Sequence, residues 1–411
     1  MIILDYSPSV SDARSDVVPD AVAPPGRHPR FPLVDGLRAI AVLSVLGVHA
    51  ATAGGAISSS LSGRVLAHLN IGVTIFFVIS GFLLYRPFIA HRAGGAGAPA
   101  VPGYLKRRFL RIYPAYWLVL TVLVVVPGLT GVIDGNWWPM YALVHTLPLY
   151  DGRGCLDAPS TCGLAQTWSL VVELTFYAAL PLHVAAMARL TRRLRVTAWM
   201  WAELGALVVL STASLVLQFA IFDPVPKWLG GSLLSYLLWF SLGMGLAVAS
   251  VALDSDGRRP RVLGAIARRP EVPWAAALAL YALLCAWMPA TPLLLARSDV
   301  LITHVAFGVI AALLLVPAVL GDRRRGLPHR VLAHPVAAWL GLVSYGIFLW
   351  HFVITQQLGP GGAGAPFLVV LLGTLAISTA CAAVSYYVVE EPVLRLKHRR
   401  LRDVVARRRA A

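Results

Sequence analysis

Arg38 and His49 are the residues whose types and spacing first suggest chemistry. They fall in FPLVDGLRAIAVLSVLGVHAATA, residues 31–53. The stretch is apolar enough to span a membrane, and ionisable groups inside spans are costly and usually mark a pathway or a reaction site. They stand eleven positions apart. Eleven steps of about 100° return to nearly the same helix face, roughly 16 Å further along. One face therefore carries a guanidinium near one membrane surface and an imidazole deeper in. The competing structural roles are a snorkelling arginine and a histidine bonded to a neighbouring helix. Two more ionisable residues, Glu173 and His351, also lie within apolar stretches. A fourth feature is the run Lys106, Arg107, Arg108, Phe109, Leu110, Arg111, Ile112, Tyr113, Pro114. Arg108 and Arg111 are i,i+3 neighbours and would share a helix face. Several cations at a span entrance suit phosphate binding through charge-assisted hydrogen bonds, although an ordinary positive-inside anchor has the same composition.

The elements that must position these residues are membrane helices. Hydrophobic residues make up 58% of the 411 and charged residues 13%, which excludes an ordinary soluble domain. Apolar stretches occur at about 33–53, 69–90, 110–130, 166–189, 197–222, 229–252, 272–289, 300–320, 336–358 and 366–389. Each is near the roughly 20 residues that cross a bilayer as a helix. The expected fold is an all-α, polytopic integral membrane helix bundle of about ten transmembrane helices. The segment from Trp137 to Tyr150 is apolar but short, contains Pro139 and Pro148, and reads as re-entrant or interfacial. Residues 1–30 read as a disordered tail without the pattern of a cleaved signal peptide. Residues 396–411 read as a basic tail suited to anionic lipid headgroups.

The net charge of +16 comes in short runs between spans, a pattern of positive cytoplasmic loops rather than of nucleic-acid binding. With the N-terminus inside, Arg92, Arg107, Arg192, Arg193, Arg258, Arg269, Arg323 and Arg330 all fall in cytoplasmic segments. The outside loops keep only Arg64, Arg153, Lys227 and Arg297. Both termini are then expected in the cytoplasm. Cys155 and Cys162 fall outside, where a disulfide can persist. Counting depth along the spans puts His49, Glu173 and His351 in one layer of the outer third. A His–Glu pair there would be a general base with an orienting carboxylate. His145 and His304 read as packing residues, Asp35 as an i,i+3 partner of Arg38, and Glu390 and Glu391 as structural partners of Arg38 or of the arginine cluster. No phosphate loop, nucleophile elbow or metal-ligand cluster is present as a motif.

Five stretches and a sixth near the end, VDGLRAIAVLSVLGVHA, GVTIFFVISGFLLYRPF, RRFLRIYPAYW, TWSLVVELTFYAALPL, GLVSYGIFLWHF and SYYVVEEPVLR, resemble membrane-bound acyltransferase family 3 over residues 31–395. The resemblance implies an O-acyltransferase of the cell membrane. It would move an acyl group, acetyl by default, from cytoplasmic acyl-CoA to a hydroxyl of a carbohydrate, glycolipid or glycosylated small molecule, commonly at the extracytoplasmic face. It implies no metal and no nucleic-acid partner. His49 and Glu173 fall on the family's catalytic positions, and Arg38, Arg108 and Arg111 on its donor-binding positions. His351, Trp168 and Tyr113 are candidates to line the site. The chain departs from the family pattern at Thr74, where many members carry Asp, at Leu174, where many carry a second acid, and at Phe352 and Val353, where many carry Pro soon after the histidine. No soluble domain follows the last span in this sequence, so transfer is expected to be completed within the membrane domain. A transporter or lipid flippase is the alternative; no internal repeat of the kind common in transporters is visible.

Overall fold

The computed structural model describes residues 31–94, 99–126, 137–146, 164–222, 226–256, 268–290, 296–320, 326–359 and 364–395. The expected terminal tails and the Cys155/Cys162 pair lie outside these residues. Regular structure among the described residues is helical throughout, as an apolar solvent demands of backbone groups that must be satisfied within one segment. The helices are α1 (Leu33–Ala53), α2 (Leu61–Ala67), α3 (Ile71–Arg92), α4 (Val101–Val125), α5 (Trp168–Leu190), α6 (Val196–Val216) and α7 (Leu233–Asp256). They continue with α8 (Glu271–Trp287), α9 (Arg297–Val319), α10 (Gly326–Leu332), α11 (Pro335–Leu342), α12 (Ser344–Leu358) and α13 (Phe367–Ser385). Single α turns lie at Trp138–Tyr141 and Lys227–Gly230, 3₁₀ turns at His68–Asn70 and Ala165–Thr167, and π turns at Leu217–Ile221 and Tyr386–Glu390.

Among the described residues, eight helical segments are long and apolar enough to cross a membrane, and α11 with α12, bent by 71°, make a ninth if the pair is counted as one span. The tenth expected stretch is α8, apolar but only 17 residues long. The protein is thus a polytopic helical bundle. The third span differs from its expectation of 110–130: α4 starts at Val101. Arg108 and Arg111 therefore lie about two to three turns into a helix rather than at its mouth. The re-entrant reading of residues 137–150 is described only to Thr146. There the chain forms one turn, hung on α4 by bonds from Tyr113, Tyr116 and Trp117 to the carbonyls of Ala142, Met140 and Tyr141.

α1 is the hub. Its apolar window is 61% buried, against 17% for α6, whose Trp201, Val208 and Val209 face outward. Small residues bring backbones together, as membrane helices require when no hydrophobic effect separates them from lipid. A Cβ at Gly243 of α7 would stand 2.0 Å from the Val78 carbonyl oxygen of α3, and one at Gly81 of α3 2.3 Å from the Phe240 carbonyl oxygen of α7. Gly243→Val should therefore push α3 from α7 and cost roughly 1–3 kcal/mol of overpacking. Thermal unfolding in detergent checks this, and an unchanged midpoint would refute the contact.

α6 is pinned to the bundle by charge. Glu203, only 1% exposed, accepts from Tyr85, pairs with Arg92 at 3.0 Å and lies 3.5 Å from His183. Arg92 also bonds Thr191 and caps the Trp199 ring at 4.4 Å. Glu203→Leu strands that guanidinium, and removing one partner of a buried pair costs on the order of 3 kcal/mol. The same unfolding assay should show a lower midpoint than for Trp201→Leu, a change on the outward face.

Candidate active site

Two lines of contact set the depth of every candidate residue. α1 and α3 run antiparallel: Phe31 meets Phe82 with ring centroids 4.9 Å apart, Gly72 abuts the Ala41 carbonyl, and Gly47 abuts Leu69. α1 and the α11–α12 pair run parallel: Gly341 abuts the Asp35 carbonyl, and Gly359 abuts Ala53. His49 and His351 therefore come level near one end of the bundle, and Arg38 stands near the other.

At the His49 end, the two expected histidines touch. His49 Nδ1 lies 2.9 Å from His351 Nε2. The rings sit 5.1 Å apart, and Phe352 stands edge-on to His49. His351 is wholly buried and His49 only partly. His351 Nδ1 faces the Phe348 and Ile347 carbonyls at 2.8 and 3.2 Å.

At the Arg38 end, a cavity opens between α1, α3, α4, α5 and α12. Arg38, Arg108, Arg111 and Glu173 all line it. Helical spacing explains the lining: Ser169, Glu173 and Tyr177 repeat every four residues on one face of α5. Two of the three arginines are matched by carboxylates. Arg38 pairs with Asp35 at 2.7 Å, and Arg111 stands 3.5 Å from the buried Glu390. These are the partnerships expected of Asp35 and Glu390. Arg108 forms no salt bridge among the described residues. Its guanidinium lies over the Tyr177 ring at 5.8 Å, and its Nε is buried without a hydrogen-bond partner. A part-buried cation with a buried, unused donor is suited to an anionic ligand.

Glu173 corrects the single-layer expectation. Its carboxylate accepts from Ser80 at 2.5 Å, not from a histidine. By the antiparallel register, Ser80 stands near the start of α1, roughly 20 Å along the axis from His49. Glu173 lines the arginine cavity, and its carboxylate contact is to Ser80 rather than to His49. The physical reason lies just before α5. Leu164, Gln166 and Thr167 are buried, and Gln166 Nε2 donates to the Phe348 and Leu349 carbonyls at 3.4 and 3.2 Å. Residue 166 is therefore level with the turn of α12 before His351, so α5 starts inside the bundle. Counting Glu173 from residue 166 as if from the membrane surface placed it too shallow.

Trp168 and Tyr113 do not line the cavity. Trp168 packs on Phe77 and Tyr236, and Tyr113 stacks on Phe109 while bonding Ala142. His304 stacks on Trp239 at 4.3 Å, and His145 lies 3.2 Å from Thr167. Sequence reasoning missed Ser80, Tyr177, Ser344, Tyr345 and Phe348 as cavity lining, though the i+4 step from Glu173 points to Tyr177. Phe348 links the two ends: it lines the cavity, and its ring lies 5.8 Å from that of His351. The cavity thus ends about one helical turn short of the histidine pair. No group of three or more His, Cys, Asp or Glu among the described residues is arranged to hold a metal ion.

Comparison with known proteins places the chain among acyltransferases. The chain is 28% identical over 385 residues to YrhL of Bacillus subtilis (strain 168), whose name carries a provisional assignment to peptidoglycan O-acetylation; the match covers 89% of this chain and 55% of that protein. It is 23% identical over 348 residues to the peptidoglycan O-acetyltransferase OatA of Listeria monocytogenes, covering 80% and 50%. It thus spans about half the length of these two relatives. Nodulation protein 10 of Rhizobium leguminosarum bv. viciae is 28% identical over 361 residues, covering 82% of this chain and 84% of that protein. No solved structure matches. The family profile described as an acyltransferase domain matches residues 31–387, and so the chain is a multi-pass membrane protein belonging to acyltransferase family 3.

Proposed function

We propose that this protein transfers an acyl group, acetyl by default, from cytoplasmic acyl-CoA to a hydroxyl of an envelope carbohydrate or glycolipid at the outer face. The observation that carries this reading is the cavity with three arginines at one end and, one turn beyond the other, a histidine pair whose His49 ring is part-exposed. A donor with phosphates at one end and a thioester at the tip of a long arm matches that polarity. The charge distribution along the chain favours cytoplasmic termini, which turns the arginine end toward the cytoplasm. The relatives named as peptidoglycan O-acetyltransferases support a carbohydrate acceptor.

The chemistry then runs as follows. Arg108 offers its unused donors to the donor phosphates, with Arg38 and Arg111 adding charge. The arm passes Phe348 and brings the thioester carbonyl toward His49. His49 takes the proton of the acceptor hydroxyl as that oxygen bonds to the carbonyl carbon. The tetrahedral intermediate collapses, the C–S bond breaks, and the thiolate recovers the proton from His49. An ester leaves on the outer side and CoA on the inner. Glu173 and Ser80 shape and balance the arginine layer rather than the base.

Mass spectrometry of envelope glycans and lipids tests the reading in cells with and without the protein. A species heavier by one acyl group only in producing cells is the expected result, and it names the acceptor and chain together. Identical profiles, with the protein confirmed in the membrane and no acyl-CoA bound by the purified protein, would overturn it.

A further inference from the structure

We infer that His351 is a positioning residue that fixes the tautomer of His49, leaving the lone pair of the proton acceptor on His49 Nε2. The inference rests on the proposed role of His49 as base and adds what makes that base competent.

Donor and acceptor roles at the two rings fix where the hydrogens sit. His351 Nδ1 faces two backbone carbonyls, Phe348 at 2.8 Å and Ile347 at 3.2 Å. A carbonyl can only accept, so this nitrogen carries the hydrogen. In a neutral imidazole the other nitrogen is then a bare acceptor. That nitrogen, His351 Nε2, lies 2.9 Å from His49 Nδ1. His49 Nδ1 must therefore be the donor. Donation in the reverse sense would need hydrogens on both His351 nitrogens, creating a cation at a residue with 0% exposure, which is expensive. The Val45 carbonyl, one turn before His49, is a further backbone acceptor for this ring.

The consequence is directional. Hydrogen passes from His49 to His351 and from His351 to the α12 backbone, so the chain ends on a group that cannot return a proton. His49 Nε2 is left as the base, on the part-exposed ring of the pair. His351 takes the place that a carboxylate fills in many catalytic histidine arrangements, where the orienting group sets which ring nitrogen is free. It does so without placing a charge in the bundle. Phe348 adds a coupling: its carbonyl holds His351 while its ring lines the donor cavity, so the turn that fixes the tautomer is the turn the donor arm must pass.

The test combines kinetics with a tautomer readout, on the full chain in lipid nanodiscs with acetyl-CoA and the acceptor found by glycan analysis. His351→Leu removes the acceptor and should lower kcat by roughly 10²-fold, the low end of general-base effects, with the donor KM little changed. His351→Gln can present an amide oxygen near the former Nε2 and should recover activity to within about tenfold of wild type, the worth of one neutral hydrogen bond. Nitrogen-15 spectra of histidine-labelled protein, assigned with His49→Ala, should show His49 protonated at Nδ1 and bare at Nε2. The preference should be lost in His351→Leu. A wild-type spectrum with the hydrogen on His49 Nε2 would sink the inference whatever the variants do. So would a His351→Leu protein turning over at the wild-type rate. If His49→Ala is inactive while His351→Leu is fully active, only this inference fails. If His49→Ala is itself active, the proposed role of the base fails first.

Discussion

His49→Ala should retain the assembled bundle and the donor affinity of wild type, yet lose about 10²–10⁴-fold in acyl transfer, the usual worth of a positioned general base. The separation of these effects follows from geometry. His49 does not line the arginine cavity, so binding of the phosphate-bearing part of the donor has no contact to lose. The ring is only partly buried, and its removal costs one side-chain hydrogen bond and one edge-on contact with Phe352. Stability should fall by only about 1–2 kcal/mol. The check is a pair of measurements on one preparation: turnover with acetyl-CoA and the identified acceptor, and the dissociation constant of acetyl-CoA. Wild-type turnover in the variant would remove His49 from the mechanism. Lost turnover with equally lost donor binding would reassign His49 to binding.

Arg108→Ala should have the complementary effect, weakening donor binding by about 10–100-fold, since a hydrogen bond to a charged group is worth about 1.5–3 kcal/mol. The effect on kcat should be small. Arg108 is singled out because its charge is unspent: Arg38 and Arg111 have Asp35 and Glu390, whereas Arg108 has the face of Tyr177 and an unused Nε. Arg111→Ala is different in kind, because it leaves Glu390 as an unopposed carboxylate beside an anion site. Adding Glu390→Gln to Arg111→Ala should therefore restore part of the lost affinity. Calorimetric titration with CoA and dephospho-CoA reads each variant. A dissociation constant unmoved by Arg108→Ala would show that the phosphates bind elsewhere.

The local parts of this site were open to inspection in the chain itself. Three and four residues along a helix are neighbours, so the Asp35–Arg38 pair could be written down directly. Eleven residues return to the same face, so Arg38 and His49 could be placed on one side of α1. Hydropathy located ten helical stretches because a bilayer admits little else, and the family motifs named their chemistry. What is separated along the chain had to wait. His49 and His351 stand 302 residues apart, and no periodicity says that α12 runs parallel to α1 with those two rings in register. The close approach of Gly341 to Asp35 says so.

Depth is where sequence and structure part, and Glu173 shows why. Hydropathy measures a helix from where its apolar residues begin and treats that point as the membrane surface. At α5 it is not: Leu164, Gln166 and Thr167 are buried, and Gln166 is held by α12. A 3₁₀ turn at Ala165–Thr167 carries the chain into α5 at that depth, inside protein, where neighbours satisfy its polar groups. The same effect, in the other sense, moved the start of α4 nine residues back from its apolar run, to Val101, and so drew Arg108 and Arg111 into the bundle beside Glu173. The sequence by itself determined which side chains could do chemistry and that helices would carry them. Only the tertiary structure decided their levels, because a helix's place along the membrane normal depends on the packing and hydrogen bonds of its neighbours.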